Sequence, residues 1–256
     1  MLKIENLCFR YRRKSELVLN GVSLEIAEGE VALLLGKNGS GKTTLFNNIL
    51  GILKPESGSI FFDGEELTQM SRRERAKRIA YVPQDIRFGS LSVYDSILMG
   101  RISHFGLRAG QRDYEIVDEI IEELNLESLA FRNANELSGG ERQKIAIARA
   151  LVQEPKMLVF DEPTGNLDIA NEEFIITEAR KIAKEKNVAI LSSIHDLNQA
   201  LRFGDKFFFL SEGKIKYSGT EEIIDSKLIK DVFDIELQII EYENKKIILG
   251  GTKNEN

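Results

Sequence analysis

Short apolar runs open the chain. LKIENLCFRY, VSLEIAEGE, VALLLG and GSIFFDGEEL read as strands separated by glycine and acidic turns. At Gly41 the pattern changes to a helix, KTTLFNNILGIL, which Pro55 and Gly58 in KPESG bring to a stop. Ser71 to Ile79 predicts a charged helix leading into the strand IAYVPQ. Between Leu91 and Val152 nearly everything is helical in period, and YEIVDEIIEELNL has one apolar face. Strand and helix then alternate through MLVFDEP, a helix from Asn171 to Glu185, VAILSSIHD and KFFFLSEGKIKYSG. The segment IELQIIEYENKKIILGG predicts a hairpin turning at Glu243 and Asn244, followed by a frayed polar tail.

This order describes an α/β core interrupted by a helical insertion. The fully apolar VALLLG, feeding a glycine loop and a helix, marks a buried parallel strand of a doubly wound sheet with its ligand at the carboxyl end. No internal repeat or low-complexity tract interrupts it.

Composition narrows the class of protein. The 256 residues suffice for a substantial core without disulfide or metal staples. Charged residues make up 30% and apolar ones 42%, and the net charge of −6 argues against bulk nucleic-acid binding. A single cysteine, Cys8, excludes an internal disulfide and is expected as a small core residue. No secretory signal opens the chain, and runs such as MLVF and FFFL fall far short of the roughly 20 apolar residues of a spanning helix. A soluble or peripheral protein of the cytoplasm is the expectation.

The candidate chemistry begins at GKNGSGKT. Gly36, Gly41, Lys42 and Thr43 fit the spacing of a phosphate-binding loop. Glycines let the backbone wrap phosphate oxygens, Lys42 supplies a point charge, and Thr43 offers a hydroxyl to Mg²⁺. In MLVFDEP a buried strand delivers Asp161, able to hold magnesium through water, and then Glu162, able to polarise an attacking water. His195 follows another apolar strand and is expected at the same sheet edge, facing the γ-phosphate. His104 lies in the helical insertion and reads as structural. Gln84 ends IAYVPQ with an amide that can ligate magnesium or orient water. In NELSGGERQKIAIARA a Ser-Gly-Gly turn enters a basic helix, a second way of presenting N–H groups to an anion. SRRERAKR reads as a solvated helix face, because Glu74 interrupts it and no aromatic residues interleave.

These pieces in this order resemble the nucleotide-binding subunits of ABC transporters, with LSGGE the diagnostic element. The resemblance implies a P-loop NTPase (RecA-like) core with a parallel sheet, an N-terminal antiparallel β subdomain and an inserted α-helical signature subdomain. The ATPase domain would span 1–236, with its core in 1–86 and 154–222 and the insertion at about 87–153. A short C-terminal extension with a β-hairpin would occupy 223–256.

Carried over by position, Gly36, Lys37, Asn38, Gly39, Ser40, Gly41, Lys42, Thr43 and Thr44 form the Walker A loop. Tyr11 would stack on adenine, although FRYRRKSELVL also offers Phe9. Gln84 is the Q-loop glutamine, Asp161 and Glu162 close the Walker B strand, Asp168 ends the D-loop, and His195 is the switch histidine. The resemblance further implies a head-to-tail homodimer in which Ser138, Gly139, Gly140 and Glu141 reach ATP bound by the partner chain. Mg²⁺ would sit on Thr43 and Gln84, with Asp161 reached through water, while Glu162, His195 and Lys42 carry catalysis.

Three finer stretches, LSVYDSILMGRISHFG, the run from Asp113 to Leu151, and the C-terminal hairpin, resemble importers of iron chelates, haem and cobalamin. Integral membrane permease subunits, a substrate-binding protein and a place on the inner face of the cell membrane follow from that resemblance. The TGNLD form of the D-loop is shared with export and lipoprotein-release branches and leaves direction open. A soluble ABC ATPase acting on DNA or ribosomes is the alternative from another class. The compact insertion leaves no room for a coiled-coil arm, and only one cassette is present.

Overall fold

A computed structural model describes residues 1–165, 167–243 and 245–250. In chain order it begins with β1 (Leu2–Phe9), β2 (Leu19–Ile26), β3 (Val31–Leu35), α1 (Lys42–Ile49), β4 (Ser57–Phe62) and β5 (Glu65–Glu66). Next come α2 (Arg72–Arg78), β6 (Ile79–Val82), α3 (Val93–Leu98), α4 (Gln111–Glu123), α5 (Gly139–Leu151), β7 (Met157–Asp161) and α6 (Ile169–Glu185). The chain ends with β8 (Ala189–Ser193), α7 (Leu197–Phe203), β9 (Lys206–Ser211), β10 (Lys214–Gly219), α8 (Ser226–Phe233), β11 (Leu237–Tyr242) and β12 (Lys245–Gly250). Two compact units share these elements: Met1–Thr68 with Leu191–Asn256, and Gln69–Ile190.

In the first unit, β2, β1, β4 and β5 form an antiparallel sheet in that order. Alternation, shifted by one residue at an irregularity between Ile4 and Leu7, sets its faces: Leu2, Ile4, Leu7 and Phe9 of β1 are buried while Lys3 and Asn6 are exposed. Cys8 falls on the other side of this alternation. Its half-buried thiol accepts the Gly21 N–H at 3.2 Å and donates to the Asn6 carbonyl at 3.7 Å, so it is not the core residue expected. Gly58 is required where β4 crosses β1, because a Cβ there would lie 2.4 Å from the Asn6 carbonyl oxygen.

The same unit holds β3, every residue of it buried, paired in parallel with β9. β10 returns antiparallel on the far side of β9, and β8 ends beside β3. Phe207, Phe208 and Phe209 of β9 are fully enclosed, each contributing roughly 1.5–3 kcal/mol by leaving water. β11 and β12 form a two-stranded hairpin whose turn residue Asn244 lies outside the described residues, as does the expected polar tail.

In the second unit β6 and β7 pair in parallel, with Val82 opposite Phe160. The stretch expected to be almost continuously helical is divided among α3, α4 and α5 by short 3-10 turns and by Asn125 in a left-handed conformation. Helix ends explain the remaining shifts. α6 starts at Ile169, earlier than expected, because Asp168 accepts the Asn171 N–H at 2.8 Å and caps it. α1 stops at Ile49 because Gly51, at φ 69°, turns the chain so that the Ile52 and Leu53 N–H groups both return to the Asn47 carbonyl.

The charged helix α2 is only partly a solvated face. Its capping box pairs Ser71 with Glu74, while the Arg73 guanidinium donates to the carbonyls of Ser103, His104 and Phe105. His104 is structural, as expected: its ring meets the Gln153 carbonyl at 3.0 Å. Burial and the neighbouring Arg101 charge hold its pKa below the ordinary value.

Candidate active site

The glycine loop lies between β3 and α1 in the first unit. A Cβ on Gly36 would fall 2.2 Å from the Leu210 carbonyl oxygen of β9, so only glycine lets the loop leave the sheet there. Gly39 and Gly41 take φ values of 80° and 109°, turning the loop so that α1 opens at Lys42. The first turn of α1 carries no acidic side chain, which leaves its positive end open to an anion.

Lys42 is 6% exposed, and its ammonium donates to the carbonyls of Gly36 at 2.8 Å and Lys37 at 3.2 Å. The Ser40 hydroxyl is buried with no hydrogen-bond partner. A buried hydroxyl of this kind needs an acceptor or donor. A phosphate within the loop would satisfy it, so these residues fit a nucleotide. Thr43 is exposed at the head of α1, and Lys37, Asn38 and Gly39 are exposed along the loop.

Tyr11 and Phe9 separate clearly. Phe9 is 6% exposed in the core of β1, whereas Tyr11 is 60% exposed and shares a hydrogen bond of 3.0 Å with the Thr44 hydroxyl. The two rings meet edge to face with centroids 5.0 Å apart, so the buried ring supports the exposed one. A cleft of about 1040 Å³ borders Lys37, Asn38, Gly39 and Ser40 on one side and Tyr217 and Asp231 on the other. Neither Lys42 nor Tyr11 lines it, so it flanks the phosphate loop without being the cradle. His195 follows β8 by two residues and is exposed just before Asp196, the cap of α7.

In the second unit the ends of β6 and β7 bring Gln84 and Glu162 together. The Gln84 amide donates to the Glu162 carboxylate at 2.6 Å. Asp161 is buried at the end of β7 and accepts from the Tyr81 hydroxyl at 3.4 Å. Burial first, and then the Asp161 charge, push the Tyr81 phenol up to about 12, so it remains a donor at neutral pH. Nothing in the sequence marked Tyr81. Its signal lay in the parallel register, which sets it beside Val159.

The Ser-Gly-Gly turn is the start of α5. Ser138 caps it, its hydroxyl accepting the Glu141 N–H while the Glu141 carboxylate takes the Ser138 N–H at 2.9 Å. The Ser138 hydroxyl, which also donates to the Glu141 carboxylate at 2.7 Å, and the Ser138 N–H hold that carboxyl below its usual range, giving the side chain a definite capping task. Ser138 and Gly139 are exposed, and Gly140 is buried.

Any larger residue at Gly140 would displace the Asn171 side chain. A Cβ there would lie 2.3 Å from the Asn171 side chain, whose amide donates to both carboxylate oxygens of Asp168. Asn171, which the motif reading missed, therefore joins the start of α5 to the residue that caps α6. Among the described residues no group of three or more His, Cys, Asp or Glu could hold a metal.

Comparison with known proteins agrees with this geometry. The sequence profile of the ABC transporter family matches residues 19–165. An uncharacterised ABC transporter ATP-binding protein of Methanocaldococcus jannaschii is 42% identical over 239 residues, 93% of each chain. A petrobactin import ATP-binding protein of Bacillus anthracis is 34% identical, covering 96% of this chain and 94% of that one. A phosphonates import ATP-binding protein of Wolinella succinogenes is 33% identical over 91% and 88%. Among solved structures, one described as a metal-chelate type ABC transporter in an inward-facing conformation matches with a TM-score of 0.83 at 30% identity, covering 97% of this chain and 95% of that one. The ATP-binding cassette MJ0796, solved as a dimer in a post-hydrolysis state with ADP and inorganic phosphate, matches with a TM-score of 0.75 at 29% identity over 86% and 98%.

The expected fold is thereby borne out: parallel strands, an N-terminal antiparallel sheet, and helices in the arrangement of these cassettes. With its glycine loop, its Asp161–Glu162 strand end and its Ser138-capped helix all present, the chain belongs to the ABC transporter family as an ATP-binding cassette, and it is an ATPase.

Proposed function

We propose that this ATPase is the energising subunit of an importer, working as a head-to-tail homodimer with integral membrane permease subunits. Lys42 and His195 stabilise charge on the phosphates, and Glu162 orients and deprotonates the attacking water. Thr43 and Gln84, with Asp161 through water, are the groups to hold Mg²⁺. Bound there, the ion would offset charge on the transferred phosphoryl group.

Tyr11 takes the adenine-stacking place, because Phe9 is committed to the core. Ser138, Gly139, Gly140 and Glu141 address the partner's nucleotide, with Asp168 beside them at the subunit boundary. No described helix is long and apolar enough to cross a membrane, so attachment to the inner face of the membrane would come from the permease.

The observation that carries the reading is the 2.6 Å bond from Gln84 to Glu162. Gln84 opens the segment that leads into α3, and it holds the carboxylate that activates water. A permease acting on that segment would thereby govern hydrolysis. For cargo, the full-length similarity to a petrobactin importer supports an iron chelate, with haem and cobalamin as related choices.

Affinity purification from detergent-solubilised membranes tests the assignment. Integral membrane subunits should copurify, and in proteoliposomes a binding protein loaded with an iron chelate should raise ATP hydrolysis. Recovery of ribosomes or DNA in their place would overturn it, and stimulation by phosphonate alone would redirect the cargo.

A further inference from the structure

His195 precedes a helix too short to hold itself in place. α7 has seven residues, and isolated helices of that length are unstable in water. Its inner face is fixed by buried Ala200 and Phe203, and its first turn by the Asp196 cap, which accepts the Gln199 N–H at 2.9 Å. The remaining side of that first turn meets the C-terminal hairpin. The Asn198 side-chain amide donates to the Ile248 carbonyl at 2.9 Å, and its oxygen accepts the Ile248 N–H at 2.8 Å. Two antiparallel bonds to one backbone residue imitate a strand pairing, so they set orientation as well as distance.

The hairpin is itself held firmly. Lys246 on β12 donates to the carbonyls of Glu221 at 2.8 Å, Glu222 at 3.2 Å and Ile224 at 2.9 Å. Ile248 is 6% exposed, so its side chain anchors the strand from within. Further back, Asp234 at the end of α8 reaches the Lys37 ammonium of the glycine loop at 3.9 Å. The C-terminal segment thus touches both the loop that carries Lys42 and the helix that follows His195.

We infer that Asn198 is a positioning residue, and that through it the hairpin Leu237–Gly250 sets the place of His195 for phosphate stabilisation. The inference rests on the reading of His195 given above. A group aimed at developing charge loses much of its effect when displaced by a fraction of an ångström. A hairpin that merely stabilised the fold would alter unfolding and leave turnover per folded molecule unchanged.

The test is a double-mutant cycle on the full chain, with kcat, KM for ATP and binding of a fluorescent ATP analogue measured at a temperature where every variant is folded. Asn198→Ala should lower kcat about tenfold and leave KM within about twofold, as loss of a transition-state contact requires. Lys246→Ala, which loosens the hairpin without touching α7, should lower kcat in the same sense. In a His195→Ala background neither change should slow the reaction further. If His195→Ala alone hydrolyses normally, the reading of His195 falls, and this inference with it. If His195→Ala is slow but Asn198→Ala slows it again by the full factor, His195 stands and its positioning by Asn198 is refuted. Normal turnover by Lys246→Ala beside a slow Asn198→Ala would refute the role of the hairpin.

Discussion

Glu162 is a non-glycine residue with a φ of 53°, a left-handed backbone that costs roughly 1 kcal/mol. The turn that follows, closed by the Gly165 N–H on the Glu162 carbonyl at 3.1 Å, keeps it there, and Gln84 holds the carboxylate. Eight other described non-glycine residues share this conformation, so what distinguishes Glu162 is the Gln84 amide on its carboxylate. Glu162→Gln should keep ATP binding and lower turnover at least about a hundredfold, the usual contribution of a general base. A phosphate-release assay checks this, and near-normal turnover would remove Glu162 from the mechanism.

The glycine loop, Asp161 and Glu162 were legible in the sequence because backbone demands impose fixed spacing on it. Tyr81 and Asn171 were not, since each acquires its place from a strand or helix distant in sequence. The core reading of Cys8 failed because β1 is irregular between Ile4 and Leu7, with Asn6 at φ 49°, which moves the buried phase from Leu2 and Ile4 to Leu7 and Phe9 and leaves position 8 on the outer side.

At the scale of elements, boundaries followed caps more closely than hydrophobic period. Ser71, Ser138 and Asp168 start α2, α5 and α6, and within the long periodic stretch the caps Ser92 and Ser138 mark where α3 and α5 begin. What joins the pieces of the helical segment is a buried ion pair, invisible to periodicity. The Arg101 guanidinium meets Asp113 at 3.0 Å, the Val152 carbonyl at 2.7 Å and Glu154 at 2.7 Å, linking the turn after α3 to α4 and to the end of α5.

Arg101→Leu would leave buried acceptors unpaired and should destabilise the fold by about 3–5 kcal/mol in urea unfolding. Burial opposes ionisation of Asp113, yet the Gly110 N–H and the Arg101 charge hold its pKa below the ordinary 3.8. A carboxyl lowered on folding stabilises at pH values above its unfolded pKa, and that contribution is lost as the pH falls through the lower folded value. Asp113→Asn should therefore be less stable than the parent at neutral pH, with the difference shrinking in acid below about pH 4. A difference that grew in acid would refute this account of the pair.

For the whole molecule the question is why one chain carries two anion-presenting helix starts. α1 opens without an acidic side chain and has Lys42 and the orphaned Ser40 hydroxyl beside it. α5 opens with its own cap satisfied by Glu141, leaving Ser138 and Gly139 exposed at the surface. On the head-to-tail reading proposed above, the exposed second start would address a nucleotide held by another copy of the chain. The motif order made this expectation readable from sequence. The link from Gly140 through Asn171 to Asp168 was not readable, because it depends on how closely α5 approaches α6.

The most direct measurement is sedimentation with saturating ATP and magnesium, comparing Glu162→Gln with the double variant Glu162→Gln, Ser138→Arg. The hydrolysis-defective single variant should sediment at twice the 29.0 kDa of one chain. Adding Ser138→Arg should leave monomers that still bind one ATP each. A double variant that dimerises as readily as the single one would contradict the head-to-tail account.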